Sequence, residues 1–100
     1  MNQQSRQNSN KEAFYARVHG RVQGVGFRYS VRLTARRYGI KGWVRNEMDG
    51  SVSVMCEGDK ENLKLLEKWL EQGPPGAYVI KVEKRKLPFK GEFTDFSIRF

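Results

Sequence analysis

The chain has 100 residues, 38% of them hydrophobic and 30% charged, which suits one domain around a single core. Its 19 Lys and Arg residues against 11 Asp and Glu give a net charge of +8, compatible with nucleic acid, an anionic membrane surface or a small anionic substrate. No apolar run nears the roughly 18 residues of a membrane span, and Cys56, the single cysteine, excludes an internal disulfide and a cysteine-based zinc site.

The opening "MNQQSRQNSNKE", residues 1–12, carries no aliphatic residue after Met1. It lacks the apolar centre of a signal peptide and reads as a disordered polar tail, leaving residues 13–100 as the folded domain. With the lone cysteine, this points to a reducing, cytoplasmic setting. "AFYARVHG" alternates Phe14, Ala16 and Val18 against Tyr15, Arg17 and His19, the pattern of a half-buried strand. From Phe27 the period changes: Phe27, Val31, Ala35 and Tyr38 share a helical face, and Gly39 stops the helix.

"KGWVRN" and "SVSVMCEG" read as strands joined through "NEMDG", whose Asp49-Gly50 pair signals a hairpin turn, with Val52, Val54 and Cys56 on one face. Asp59 is placed as the N-cap of a second helix with Leu63, Leu66 and Leu70 inward, ended by Gly73-Pro74-Pro75-Gly76. "AYVIKVEKRKL" gives a fourth strand with Tyr78, Ile80 and Val82 on one face, and "FTDFSIRF" a short terminal one. The order βαββαβ with right-handed crossovers predicts an α+β, ferredoxin-like two-layer sandwich: a mostly antiparallel sheet, both helices on one face, plus the short C-terminal strand.

"GRVQGVGFRYS" sits between the first strand and first helix. Glycines at 20, 24 and 26 allow successive N–H groups to turn around one point, and such a set opening onto a helix N-terminus binds anions. Arg28 opposes the helix dipole unless an anion occupies the loop, in which case its planar fork adds a two-pronged contact. The alternative is a tight strand–helix turn with a solvated arginine. The third glycine of a dinucleotide fingerprint and the Gly-Lys-Ser/Thr of a triphosphatase loop are both missing, so a single phosphoryl group is the favoured ligand.

"GRVQGVGFR" followed by "GWVRNEMDGSVSV", with "CEG", "GPPGAYVIKVE" and the closing "FSIRF", resembles the acylphosphatase family from about Ala13 to Phe100. The resemblance implies an enzyme that hydrolyses acyl phosphates to a carboxylate and inorganic phosphate. It implies that the backbone N–H groups of Gln23, Gly24, Val25, Gly26 and Phe27 cradle the phosphate, that Arg28 is the essential phosphate-binding arginine and that Asn46 positions the attacking water. No metal, cofactor, nucleic acid or membrane is expected, and the protein is expected to be a monomer.

Other residues carry plainer readings. Arg32 and Arg36 continue a basic stripe from Arg28, and His19, with no acidic neighbour in sequence, reads as a bystander. Cys56, Trp43 and Trp69 read as packing, Arg45 as surface charge on the sheet face opposite Asn46, and Gly20 as a bend. Three competing functions are an RNA-binding module, a phosphate sensor without turnover, and a domain of a larger carbamoyl-phosphate-using maturation protein.

Overall fold

The computed structural model describes residues 10–100. Strands β1 (Lys11–Arg21), β2 (Lys41–Asn46), β3 (Val52–Asp59), β4 (Tyr78–Leu87) and β5 (Phe96–Arg99) form one sheet in the order β4-β1-β3-β2-β5. Every pairing is antiparallel except β2 with β5. Helix α1 (Phe27–Arg37) connects β1 to β2 and helix α2 (Lys60–Gln72) connects β3 to β4. This is the ferredoxin-like sandwich, with the short parallel strand added at the β2 edge.

The alternation read in β1 and β3 sets the core. Phe14, Ala16 and Val18 join Val52, Val54, Cys56 and Val44 beneath Phe27, Val31 and Ala35 of α1 and Leu63, Leu66 and Leu70 of α2. Burial raises the Cys56 thiol pKa well above its ordinary value, so it packs as a small hydrophobe. Trp69 joins this core beside the Phe27 ring, centroids 5.8 Å apart. Helix α1 ends as its sequence requires: Gly39 takes φ +68°, its N–H bonds the Arg36 carbonyl, and the Ile40 N–H reaches Ala35 at 2.8 Å. That is a Schellman closure, with Ile40 buried behind it.

Three expectations are corrected. Strand β1 begins at Lys11, inside the segment assigned to the tail, because Lys11 and Glu12 pair with Asp59 and Gly58 of β3; residues 1–9 of that segment lie outside the described residues. Asp59 occupies the N-cap position of α2, yet its side chain makes no capping bond and pairs with Lys11 at 3.1 Å. In β4 the alternation fails: a register shift opposite His19 and Gly20 leaves Tyr78 and Ile80 exposed, and Val79 joins Val82 against the core. Tyr38, partly buried, packs against the core on the face its spacing gave it.

The chain leaves β4 at one sheet edge and enters β5 at the other, so residues 88–95 must cross between edges. Glu57, buried on β3, holds this crossing. Its carboxylate accepts the N–H groups of Gly91 at 3.0 Å and of Lys90, Glu92 and Phe93 at 3.4 Å. A buried charge is tolerated when its oxygens are bonded this fully.

Gly42, the second residue of β2, has φ +143°, and a Cβ there would lie 1.8 Å from the Met55 carbonyl oxygen. Gly42→Ala is therefore expected to destabilise by about 2 kcal/mol or more, lowering the melting temperature by roughly 10 °C. Thermal unfolding followed by circular dichroism checks this, and an unchanged midpoint would contradict the close approach.

Candidate active site

Between β1 and α1 the chain reverses through left-handed glycines. Gly24 has φ +77° and Gly26 φ +74°, and a Cβ at either position would meet nothing within 4 Å. Backbone conformation rather than crowding favours glycine here. Among the described residues, no protein acceptor takes the N–H groups of Gln23, Gly24, Val25 or Gly26. Gly26 caps α1 without a side-chain bond, and no acidic residue lies in that helix's first turn. The loop thus delivers a row of unpaired donors onto the positive end of a helix dipole.

Arg28 follows on α1. A cavity of about 170 Å³ is lined by Gly24, Gly26, Phe27, Arg28 and Asn46, with Val22, Tyr29, Ile98 and Phe100 completing it. One water's share of liquid is about 30 Å³, so the space holds a phosphoryl group and a few waters. No Asp, Glu or His side chain is among these lining residues. Of the backbone candidates, Gln23 and Val25 stand outside the lining: Val25 packs partly against the core. The Gln23 side-chain Nε2 donates to the carbonyl oxygens of Glu47 at 2.8 Å and Ser51 at 2.9 Å.

Asn46 reaches the cavity as the last residue of β2, paired with Val52. Arg45 points to the other face, bonding Glu47 at 3.1 Å and lying over the Trp43 ring. Trp43 packs there edge-on to Tyr15 rather than in the core. The turn after Asn46 is tightly fixed. Glu47 N–H bonds Ser51 O at 2.8 Å, Gly50 N–H bonds Glu47 O at 3.1 Å, and the Asp49 carboxylate accepts from the Ser51 N–H at 2.9 Å. Arg17 donates through Nε to the Ser51 hydroxyl at 2.7 Å, with its guanidinium 3.6 Å from Asp49.

Four lining residues were not read from the sequence as part of the site: Val22, Tyr29, Ile98 and Phe100. Ile98 and Phe100 arrive because β5 runs parallel to β2, Ile98 opposite Val44 and Arg99 opposite Arg45. The Phe100 ring lies 4.8 Å from the Arg28 guanidinium carbon, a cation–π contact. The closing "FSIRF" was the available signal, but its parallel register was not.

His19 does have an acidic partner, which the sequence reading missed: Glu83, brought to 2.8 Å by the β1–β4 pairing. That bond, helped by Lys81, holds the Glu83 carboxyl below its ordinary pKa. His19 is absent from the cavity lining, as is Gly20, which pairs with Val79 where a Cβ would strike the Tyr78 carbonyl. Arg36 forms a two-pronged pair with Asp95 at 2.8 and 3.2 Å, and Arg32 lies over the Tyr29 ring. Among the described residues, no His, Cys, Asp and Glu side chains cluster as a metal site would require, and no helix is long and apolar enough to cross a membrane.

The Acylphosphatase family model matches residues 14–98. The chain is 54% identical over 77 residues to an acylphosphatase of Pseudomonas paraeruginosa, covering 77% of this chain and 85% of that one. It superposes on the structure of an acylphosphatase from Coxiella burnetii with a TM-score of 0.89 at 34% identity, covering 99% and 100% of the two chains. The structure of T. kodakarensis HypF matches at 30% identity and a TM-score of 0.78, over 89% of this chain and 12% of that one.

The hydroxyl of Ser53 is the main cause of a lowered Glu47 pKa, and Ser51 of a lowered Asp49 pKa, with Arg45 and Arg17 assisting. Carboxyls depressed in the folded state contribute stability above their unfolded values, about 4, and lose it as pH falls through the folded ones. The melting temperature is thus expected to be flat from neutrality to about pH 5 and to drop below pH 4. Asp49→Asn should shallow that drop; a scan of melting temperature against pH with the same slope in both proteins would contradict it.

Proposed function

The chain belongs to the acylphosphatase family, and from that premise we propose that this cavity hydrolyses the carboxyl–phosphate bond of acyl phosphates. One observation carries the reading: the glycine loop, Arg28 on α1 and Asn46 on β2 border one space, although they come from separate parts of the chain.

In this reading the N–H groups of Gln23, Gly24, Val25, Gly26 and Phe27 hold the phosphoryl oxygens, and Arg28 adds its fork. Phosphoryl transfer passes through a state with charge spread over three oxygens, so fixed donors and one guanidinium supply most of what the protein must do. Asn46 holds the attacking water with a donor and an acceptor and brings no negative charge against the substrate. The departing carboxylate has a pKa of about 4 and leaves without a general acid. The water's proton passes to a phosphoryl oxygen, which accounts for a lining without an Asp, Glu or His side chain. The products are a carboxylate and inorganic phosphate.

The same reading makes the protein a monomer of a reducing, cytoplasmic setting, with no cofactor, metal or nucleic-acid partner. Asn46 separates hydrolysis from phosphate sensing, since a sensor has no use for an oriented water.

Benzoyl phosphate hydrolysis in the presence of a chelator tests these roles. Arg28→Ala should lose about 10²- to 10³-fold in rate and lose inhibition by inorganic phosphate, and Arg28→Lys should recover little of either. Asn46→Ala should lower kcat while phosphate inhibition stays nearly intact. Wild-type kcat in Asn46→Ala removes its role, and a pH–rate profile that loses a pKa with His19→Ala removes the substrate-assisted proton transfer.

A further inference from the structure

Gln23 enters the reading above only through its backbone, yet among the described residues its side chain makes the one hydrogen-bonded tie between the loop and the turn that follows Asn46. Its Nε2 reaches the Glu47 and Ser51 carbonyls at 2.8 and 2.9 Å. Both are acceptors, so the amino end of the amide faces them and its orientation is fixed. The same carbonyls take the N–H groups of Gly50 and Glu47 that close the turn, so one side chain spans the neck of the hairpin. Glu47 is peptide-bonded to Asn46.

Asn46 stands where the sheet gives it least support. The β2–β3 ladder ends at Asn46 with Val52, and the β2–β5 ladder stops one residue earlier, at Arg45 with Arg99. Asn46 therefore has a ladder partner on one side only. The amide of Gln23 restrains the chain at the next residue, and it belongs to the loop whose distance from Asn46 decides whether a bound phosphorus and an oriented water can meet.

We infer that Gln23 is a positioning residue for hydrolysis: its side-chain amide sets the separation between the phosphate loop and Asn46. This rests on the reading in which Asn46 orients the water. The glycine conformations of the loop are local to residues 24–26, so losing the amide leaves the anion cup in place and displaces the water. Fold should persist as well, because each carbonyl keeps its turn partner when Gln23 is removed.

Gln23→Met keeps the length without a donor, and Gln23→Leu removes the donor with a shorter apolar side chain. With benzoyl phosphate as substrate, each should lower kcat about tenfold or more, while the inhibition constant for inorganic phosphate and the melting temperature stay near wild type. In an Asn46→Ala background, Gln23→Met should cause no further fall in kcat, as expected for a residue acting through another. Full kcat in a folded Gln23→Met protein, a loss that adds to that of Asn46→Ala, or phosphate inhibition weakened in step with kcat each overturns the inference. Should Gln23→Met not fold, Gln23→Leu decides by the same readouts. Wild-type kcat in Asn46→Ala identifies a different failure, that of the water-orienting reading itself.

Discussion

A chain that leaves β1 and must start α1 at Phe27 has the few residues after Arg21 in which to turn, and the left-handed backbone at Gly24 and Gly26 makes this possible. The same geometry stops those residues from pairing their N–H groups with one another or with the sheet. Unpaired backbone donors are costly unless water or a ligand meets them, and here they open onto a cavity. The features of the candidate site follow from this constraint: a helix without a side-chain cap, an arginine in its first turn, and space beside both.

The two helices make the point by contrast. Helix α2 begins with Asp59 and Glu61, acidic residues that suit its positive end. Helix α1 has no acidic residue in its first turn and carries Arg28 there instead. An arrangement that leaves a helix dipole and a guanidinium both unneutralised is unfavourable for an isolated domain and favourable for one that meets an anion. The Phe100 ring against the guanidinium limits where that side chain can swing. In the proposed reading, α1 gives up the acidic residues that α2 keeps, and substrate supplies the missing charge.

Much of this was legible in the sequence because it is periodic or local. Phe14, Ala16 and Val18, the run Val52, Val54, Cys56, and the Gly39 stop appear in the fold as their spacing demands. Long-range register was not legible. The bulge opposite His19 and Gly20 exposes Ile80, which simple alternation placed with Val82. Pairing between β1 and β4 brings Glu83 to His19 across 64 positions. Asp59 had the right residue type for a cap, but Lys11 lies across the ladder and takes its carboxylate. At the site, the glycines and Arg28 were readable as a group because they are contiguous. The tie from Gln23 to Glu47 and Ser51 was not, since an amide partner two dozen residues away leaves no mark on spacing.

The two faces of the sheet divide the electrostatic task. The helix face holds the apolar core, and the cavity lies at its edge with Arg28 as its only charged side chain. The acidic groups that shape the hairpin turn, Glu47 and Asp49, instead meet Arg17, Arg45 and the serines at 51 and 53. Carboxylates lining a space that receives a phosphate would repel it strongly at close range. Set outside the lining, they fix the turn, and what reaches inward from it is neutral: the Asn46 side chain, with Gln23 gripping two carbonyls behind it. In the proposed reading, the turn is thus held rigid by charges that the substrate does not meet at contact range, and its one contribution to the cavity is an amide.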